Sequence, residues 1–223
     1  MPGENIALSW SGGKDSNLSL YKLISEGKYE PKYLLTSVTR DYGRVSIHGI
    51  RTDLIETQAS RVSRDLDIAY ISKNTSNDEY EAVMREKVIK YRMEGIKWVA
   101  FGDIFLQDIR EYRESRMARE GMRCIFPLWG RNTGDLAEEF IKAGFRAILC
   151  SVDSRKLGEK FAGMEFDETL LENLPDNVDP CGENGEFHTF VYDGPTFSRP
   201  VLFKKGEIVL KDNMYFLDLL KSE

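Results

Sequence analysis

A chain of 223 residues has room for one full α/β core and a smaller appendage, and 41% hydrophobic with 30% charged residues excludes a disordered or fibrous protein. Thirty-seven Asp and Glu against 31 Lys and Arg give a net charge of -6, which disfavours a large nucleic acid as partner. No apolar run approaches the roughly 20 residues of a membrane-spanning helix, and Met1-Pro2-Gly3-Glu4 lacks the pattern of a secretory leader, so a cytoplasmic protein without membrane association is expected.

The first strand is predicted near Asn5–Trp10 and runs into Ser11-Gly12-Gly13-Lys14-Asp15-Ser16. A helix near Ser16–Glu26 follows, with Leu18, Tyr21 and Leu23 on its inner face. Strands near Tyr33–Val38, Ile68–Ser72, Trp98–Phe101, Cys124–Phe126 and Phe145–Ser151 then alternate with helices near Asp53–Asp65, Asn77–Glu94, Asp108–Arg119 and Asp135–Ala143. Gly27, Gly95, Gly121 and Gly144 each stand just past a helical run, where a left-handed cap favours glycine. This alternation predicts an α/β domain over residues 1–152, a doubly wound, mostly parallel sheet with helices on both faces. Beyond it, a short helix near Asp167–Leu174, a Pro- and Gly-rich loop and strands near Thr189–Tyr192, Val201–Phe203, Glu207–Leu210 and Tyr215–Leu217 predict a smaller α+β substrate-binding domain over residues 153–223.

The loop between the first strand and first helix carries the chemistry. A helix N-terminus offers unpaired N–H groups and the positive end of its dipole, and Gly12 and Gly13 let a phosphate approach the backbone. Lys14 adds a positive charge, Ser11 and Ser16 add hydroxyl donors, and Asp15 is a candidate Mg²⁺ ligand or helix cap. The alternative is a plain strand-to-helix turn, with Gly-Gly for geometry and Asp15 for capping. No glycine lies five residues before Gly13, so this is not the phosphate loop of kinases and GTPases. The sequence resembles the N-type ATP pyrophosphatase superfamily, marked by SGGxDS after the first strand of an adenine nucleotide alpha hydrolase-like fold. That resemblance implies cleavage of ATP to AMP and pyrophosphate, with Mg²⁺ as cofactor.

A second cluster, Cys181-Gly182-Glu183-Asn184-Gly185-Glu186-Phe187-His188-Thr189, places two carboxylates and an imidazole within six residues. Such a group suits binding of a cation or amine, or holding an acceptor for attack, and equally a solvated acidic turn. Taken together, the two motifs resemble the diphthine–ammonia ligase family over about Ile6 to Phe197. Gly102-Asp103-Ile104, the Arg110 to Glu114 stretch and Pro127-Leu128-Trp129-Gly130-Arg131 support the likeness. The resemblance implies adenylation of the carboxylate of diphthine, a modified histidine on elongation factor 2, and its amidation by ammonium. By the same resemblance Lys14, Asp15, Glu186 and His188 are catalytic candidates, while Arg110, Glu183, Asn184, Gly185 and Thr189 join Glu186 and His188 at the acceptor. Typical diphthine-directed members carry a carboxylate where His188 stands, and Tyr-Gln-Arg-x-Arg where this chain reads Asp108-Ile109-Arg110-Glu111-Tyr112-Arg113. A paralogue amidating another acceptor, such as a corrinoid carboxylate or other small molecule, is the alternative.

Ser37, Val38 and Thr39 end the second strand at the sheet edge where such folds bind ligands, and are expected at adenosine. His48 is a candidate for the same pocket, with a satisfied core or surface histidine as the alternative. Gly102 and Asp103 follow the fourth strand at that edge, placing Asp103 at Mg²⁺, at the ribose or at a helix cap. Arg110, Arg113, Arg116 and Arg119 read mostly as an ion-paired face. The three cysteines, 26 and 31 residues apart, form no CxxC pair, so neither a zinc site nor a persulfide pair for tRNA thiolation is expected. Met1-Pro2 speaks against an N-terminal glutaminase, which leaves free ammonium or ammonia from a partner. A nucleotide sensor without turnover is the reading from another class, and the sequence leaves open whether the chain forms a homo-oligomer.

Overall fold

The computed structural model describes residues 3–222. Met1 and Pro2, on which the absence of a leader and of a glutaminase was read, lie outside the described residues. Strand β1 (Glu4–Ser9) leads through the glycine loop into helix α1 (Lys14–Glu26). Ile6, Ala7 and Leu8 are all fully buried, because both faces of the strand are covered. After α1 the chain forms β2 (Tyr29–Thr39), the two-residue β3 (Arg44–Val45), α2 (Thr52–Arg61), β4 (Asp65–Ile71) and α3 (Asn77–Met93). Then follow β5 (Trp98–Ala100), α4 (Gln107–Arg119), β6 (Arg123–Ile125) and α5 (Thr133–Lys142).

The first sheet runs β4, β2, β1, β5, β6, all parallel, with β3 antiparallel along the far end of β2. Strands β2 and β4 lie on one side of β1, and β5 and β6 on the other. The loop after β1 therefore leaves the sheet where the winding reverses, the point at which open α/β sheets bind ligands. All four expected glycine stops adopt positive φ, from 67° at Gly27 to 87° at Gly144.

Strand β7 (Arg146–Asp153) departs from expectation. Instead of extending the parallel sheet, it pairs antiparallel with β8 (Phe187–Asp193) and β10 (Met214–Lys221) in a second sheet of order β8, β7, β10 and β9 (Phe203–Lys211). A strand buried on both faces reads as a continuous apolar run whichever way its neighbours run, so periodicity does not reveal its partners. The second sheet thus begins ahead of residue 153. Of the two strands predicted at Val201–Phe203 and Glu207–Leu210, the second lies whole within β9 and the first contributes only Phe203; β9 turns into β10 through Asp212-Asn213, both at positive φ as a tight hairpin requires. The short helix α6 (Glu168–Asn173) forms where predicted, capped by Asp167.

Helices α1 and α2 touch both sheets, α1 through β8 and α2 through β10. One apolar core runs through them, joining Ile6 and Leu8 of β1 to Leu20, Leu23 and Ile55, and on to Ile148, Phe190 and Leu217 of the second sheet. On the opposite face of the parallel sheet, α3 and α4 stand over Leu35, Val99 and Phe101. No described helix is long and apolar enough to cross a membrane.

Candidate active site

The glycine loop is held from below by buried Gln58. Its Nε2 donates to the carbonyls of Gly12 (2.9 Å) and Val191 (2.6 Å), and its Oε1 accepts from Trp10 Nε1 at 2.8 Å. Gly12 has φ of 79°, and a Cβ there would meet Ile55 Cδ1 at 2.5 Å, so the position admits only glycine without rearrangement. The N–H of Val191 also donates to Gly12, at 3.0 Å, fastening the loop to β8. Helix α1 makes its first internal bond from Asn17 N–H to Gly13. Of the three preceding N–H groups, that of Lys14 donates to Thr189 Oγ1 (2.9 Å), while those of Asp15 and Ser16, in the first turn, have no carbonyl four residues back inside the helix. The side chain of Lys14 is 4% exposed and its ammonium lies 2.6 Å from Asp15 Oδ1. Burial opposes that charge, but the Asp15 carboxylate outweighs it and holds the lysine pKa above its ordinary value.

The acidic turn lies across from this loop. Together they enclose a cavity of about 240 Å³, bounded by Ser11, Lys14, Asp15, Ser16, His48, Gly102, Asp103, Arg113, Glu183, Gly185, His188 and Thr189 among others. Glu183 accepts the Ile104 N–H at 2.7 Å. Burial, reinforced by Asp15 and Asp103, pushes its pKa up to about 7. His48 and His188 pack ring against ring, with centroids 4.5 Å apart. Burial lowers both, helped at His48 by the neighbouring His188 and at His188, held at about 4, by the Lys14 charge, so both imidazoles favour the neutral form at physiological pH.

Several predicted site residues stand elsewhere. Glu186 is 3% exposed and faces into the turn, where its oxygens accept the N–H groups of Asp179 (3.2 Å) and Asn184 (3.1 Å) and the Asn184 amide (3.1 Å). It does not line the cavity, and neither does Asn184. The reversal at Gly185, with φ of 85°, sends residues 183 and 186 to opposite sides of the turn. Two carboxylates that look equivalent in sequence thus divide, one toward the cavity and one fastening the loop. Thr189 lines the cavity, yet its hydroxyl is committed to capping α1. Val38 is fully buried in the core, and Ser37 receives the Ser46 N–H at 3.3 Å because β3 occupies that edge of β2. Arg110 stacks on Phe126 and Trp129, at 5.0 and 4.6 Å, and bonds Glu114 rather than reaching the cavity. Burial holds the His188 pKa at about 4, which makes its imidazole a weak base.

Arg113 and Gln58 are the residues that sequence reasoning passed over. Arg113 sits three residues from Arg110 on α4 and pairs with Asp103, Nε to Oδ2 at 2.6 Å and Nη2 to Oδ1 at 3.1 Å. It also borders a larger cavity of about 560 Å³ between α3 and α4, walled by Leu35, Val88, Val99 and Phe101. Burial pushes the thiols of Cys124, Cys150 and Cys181 up to about 12, and Cys181 donates to the Thr133 carbonyl at 3.2 Å, so none is prepared as a nucleophile. Among the described residues, no three His, Cys, Asp or Glu side chains gather as a metal centre. Asp15 and Asp103 still suit Mg²⁺, which typically takes one or two carboxylates together with substrate phosphates.

Comparison with known proteins matches residues 4–124 to the family model described as diphthamide synthase N-terminal domain and residues 132–222 to its C-terminal domain. A relative from Schizosaccharomyces pombe, named diphthine–ammonia ligase, is 26% identical over 89% of this chain and 36% of its own length. The Mus musculus protein of the same name is 25% identical over 92% of this chain and 85% of its own length. In Danio rerio a protein so named is 32% identical over 64% of this chain and 58% of its own. The chain thus spans about a third of the fission-yeast relative and most of the mouse one.

Proposed function

Because the chain belongs to the diphthamide synthase family, we propose that it is an ATP-dependent ligase, converting a carboxylate to an amide with ammonia and yielding AMP and pyrophosphate. One observation carries the reading: Lys14 and the helix-head N–H groups of Asp15 and Ser16 share a small cavity with Glu183, whose pKa is about 7. The first set suits the departing pyrophosphate. The second suits a proton acceptor at neutral pH.

In this reading the 240 Å³ cavity takes the phosphates, and the nucleoside extends past Arg113 toward the larger cavity. Mg²⁺, held by Asp15 and Asp103, would neutralise phosphate charge when bound. An acceptor carboxylate oxygen attacks the α-phosphorus and pyrophosphate leaves. Ammonia then attacks the acyl carbon, its proton passes to the Glu183 carboxylate, and AMP departs. Neutral His48 and His188 line the same space as hydrogen-bonding groups without adding charge, and Glu186 keeps the turn in shape.

The relatives' name points to diphthine as the acceptor. The same chemistry on another carboxylate is the second reading, favoured by uncharged His188 standing where diphthine-directed members carry a carboxylate. The test supplies ATP, ammonium and diphthine-bearing elongation factor 2. AMP, pyrophosphate and an amidated factor are expected. ADP as the main product overturns the reading, and AMP formation only with a small carboxylate moves the acceptor.

A further inference from the structure

Lys14 and Arg113 are the two cations among the described residues lining the phosphate cavity, and each is already bonded to a carboxylate. Asp15, Asp103 and Glu183 line the same space, so its carboxylates outnumber its cations. A polyphosphate brings several more negative charges; Mg²⁺ would offset part of them when bound, and a protein cation that changes partner would offset more. Lys14 has little freedom to do so, being buried against Asp15.

Arg113 is differently placed. Its side chain is 30% exposed, its guanidinium lies over the Phe101 ring at 4.5 Å, and it borders both cavities. It projects from α4, a helix with no buried residue, so little apolar packing restrains it. Tyr112, the residue before it, is exposed and carries the Arg116 guanidinium over its ring. We propose that Arg113 is a nucleotide-binding residue that exchanges Asp103 for the phosphate chain at the junction of the two cavities, an inference that rests on the ATP reading above. A partly exposed ion pair is a weak restraint, whereas a guanidinium meets phosphate oxygens through two charge-assisted bonds. Sliding across the Phe101 face keeps the stacking contact throughout.

Titration calorimetry of the full chain with ATP and Mg²⁺ tests this, using R113M, which keeps an apolar stem over Phe101, and R113K, which leaves Asp103 a partner and loses only the planar fork. R113M should weaken ATP binding by about 10- to 100-fold, the loss typical of a charge-assisted contact, with R113K in between. The ATP-induced rise in melting temperature should shrink in the same order. If both variants bind ATP within about twofold of the unmodified chain, Arg113 is not a nucleotide contact. If the unmodified chain itself binds no ATP, the nucleotide reading falls, a result distinct from the first.

Discussion

In the proposed reaction Lys14 both serves the glycine loop and is hard to alter. Replacing it leaves the Asp15 carboxylate, 32% exposed, without its partner. Lys14→Met should therefore abolish pyrophosphate release and also lower stability, by about 1–3 kcal/mol. Lys14→Met combined with Asp15→Asn should recover part of the stability and none of the activity, as denaturant titration beside pyrophosphate release would record. Glu183 makes the opposite trade. Its folded pKa of about 7 exceeds the ordinary 4.5, so between those values the folded chain holds a proton that the unfolded chain has released. Stability accordingly falls as pH rises through that window. Glu183→Gln should remove this loss, melting higher than the unmodified chain at pH 8, with the gap closing toward pH 4.5. The same substitution should slow amide formation by about 10²- to 10⁴-fold and erase its rise near pH 7. A variant with unchanged turnover would take Glu183 out of the proton path.

Helix α1 depends on an element 175 residues away in sequence for its first turn, since the Thr189 hydroxyl of β8 caps the Lys14 N–H. Thr189→Val keeps the shape and removes the acceptor, at a cost of about 1 kcal/mol. The loop should loosen with it, and ATP affinity and melting temperature should fall together. An affinity unchanged beside a lowered melting temperature would separate the cap from the site. Contacts of this kind mark the limit of what sequence conveys. The strand, glycine loop and helix are local, and Leu18, Gly12, Gly13 and Gly27 announce them. The helix-ending glycines are equally local, each needing only its own positive φ. By contrast, the inward turn of Glu186, the sealing of Ser37 by β3 and the docking of Gln58 on Val191 depend on partners that no spacing records. Arg113 was hidden for another reason. On α4 the arginines alternate with glutamates in a pattern that fits a solvated face, and only the fold brings one of them to Asp103.

At the scale of the molecule, the second sheet closes the first. Sequence alternation ran on through β7 as though one sheet continued, and the fold instead gives that strand to the sheet that carries the acidic turn. The consequence is a shared core, in which Leu20, Leu23 and Ile55 of α1 and α2 are buried against Ile148, Phe190 and Leu217. Burying a large aliphatic side chain stabilises by roughly 1.5–3 kcal/mol, and a domain's net stability is only about 5–15 kcal/mol. Losing the second sheet would expose several such side chains at once, and would remove Thr189 and Val191 from the loop. Residues 1–131, though they include the whole parallel sheet and the complete SGGKDS motif, should therefore neither melt cooperatively nor bind ATP when produced alone. Co-production with residues 132–223 should restore both, because the cut falls in the connection between β6 and α5, outside every strand. Calorimetry and hydrogen exchange of the fragment and of the reassembled pair decide the matter. A cooperative transition with ATP binding in residues 1–131 alone would show that the glycine loop is set by its own strand and helix, without the sheet that lies across from it.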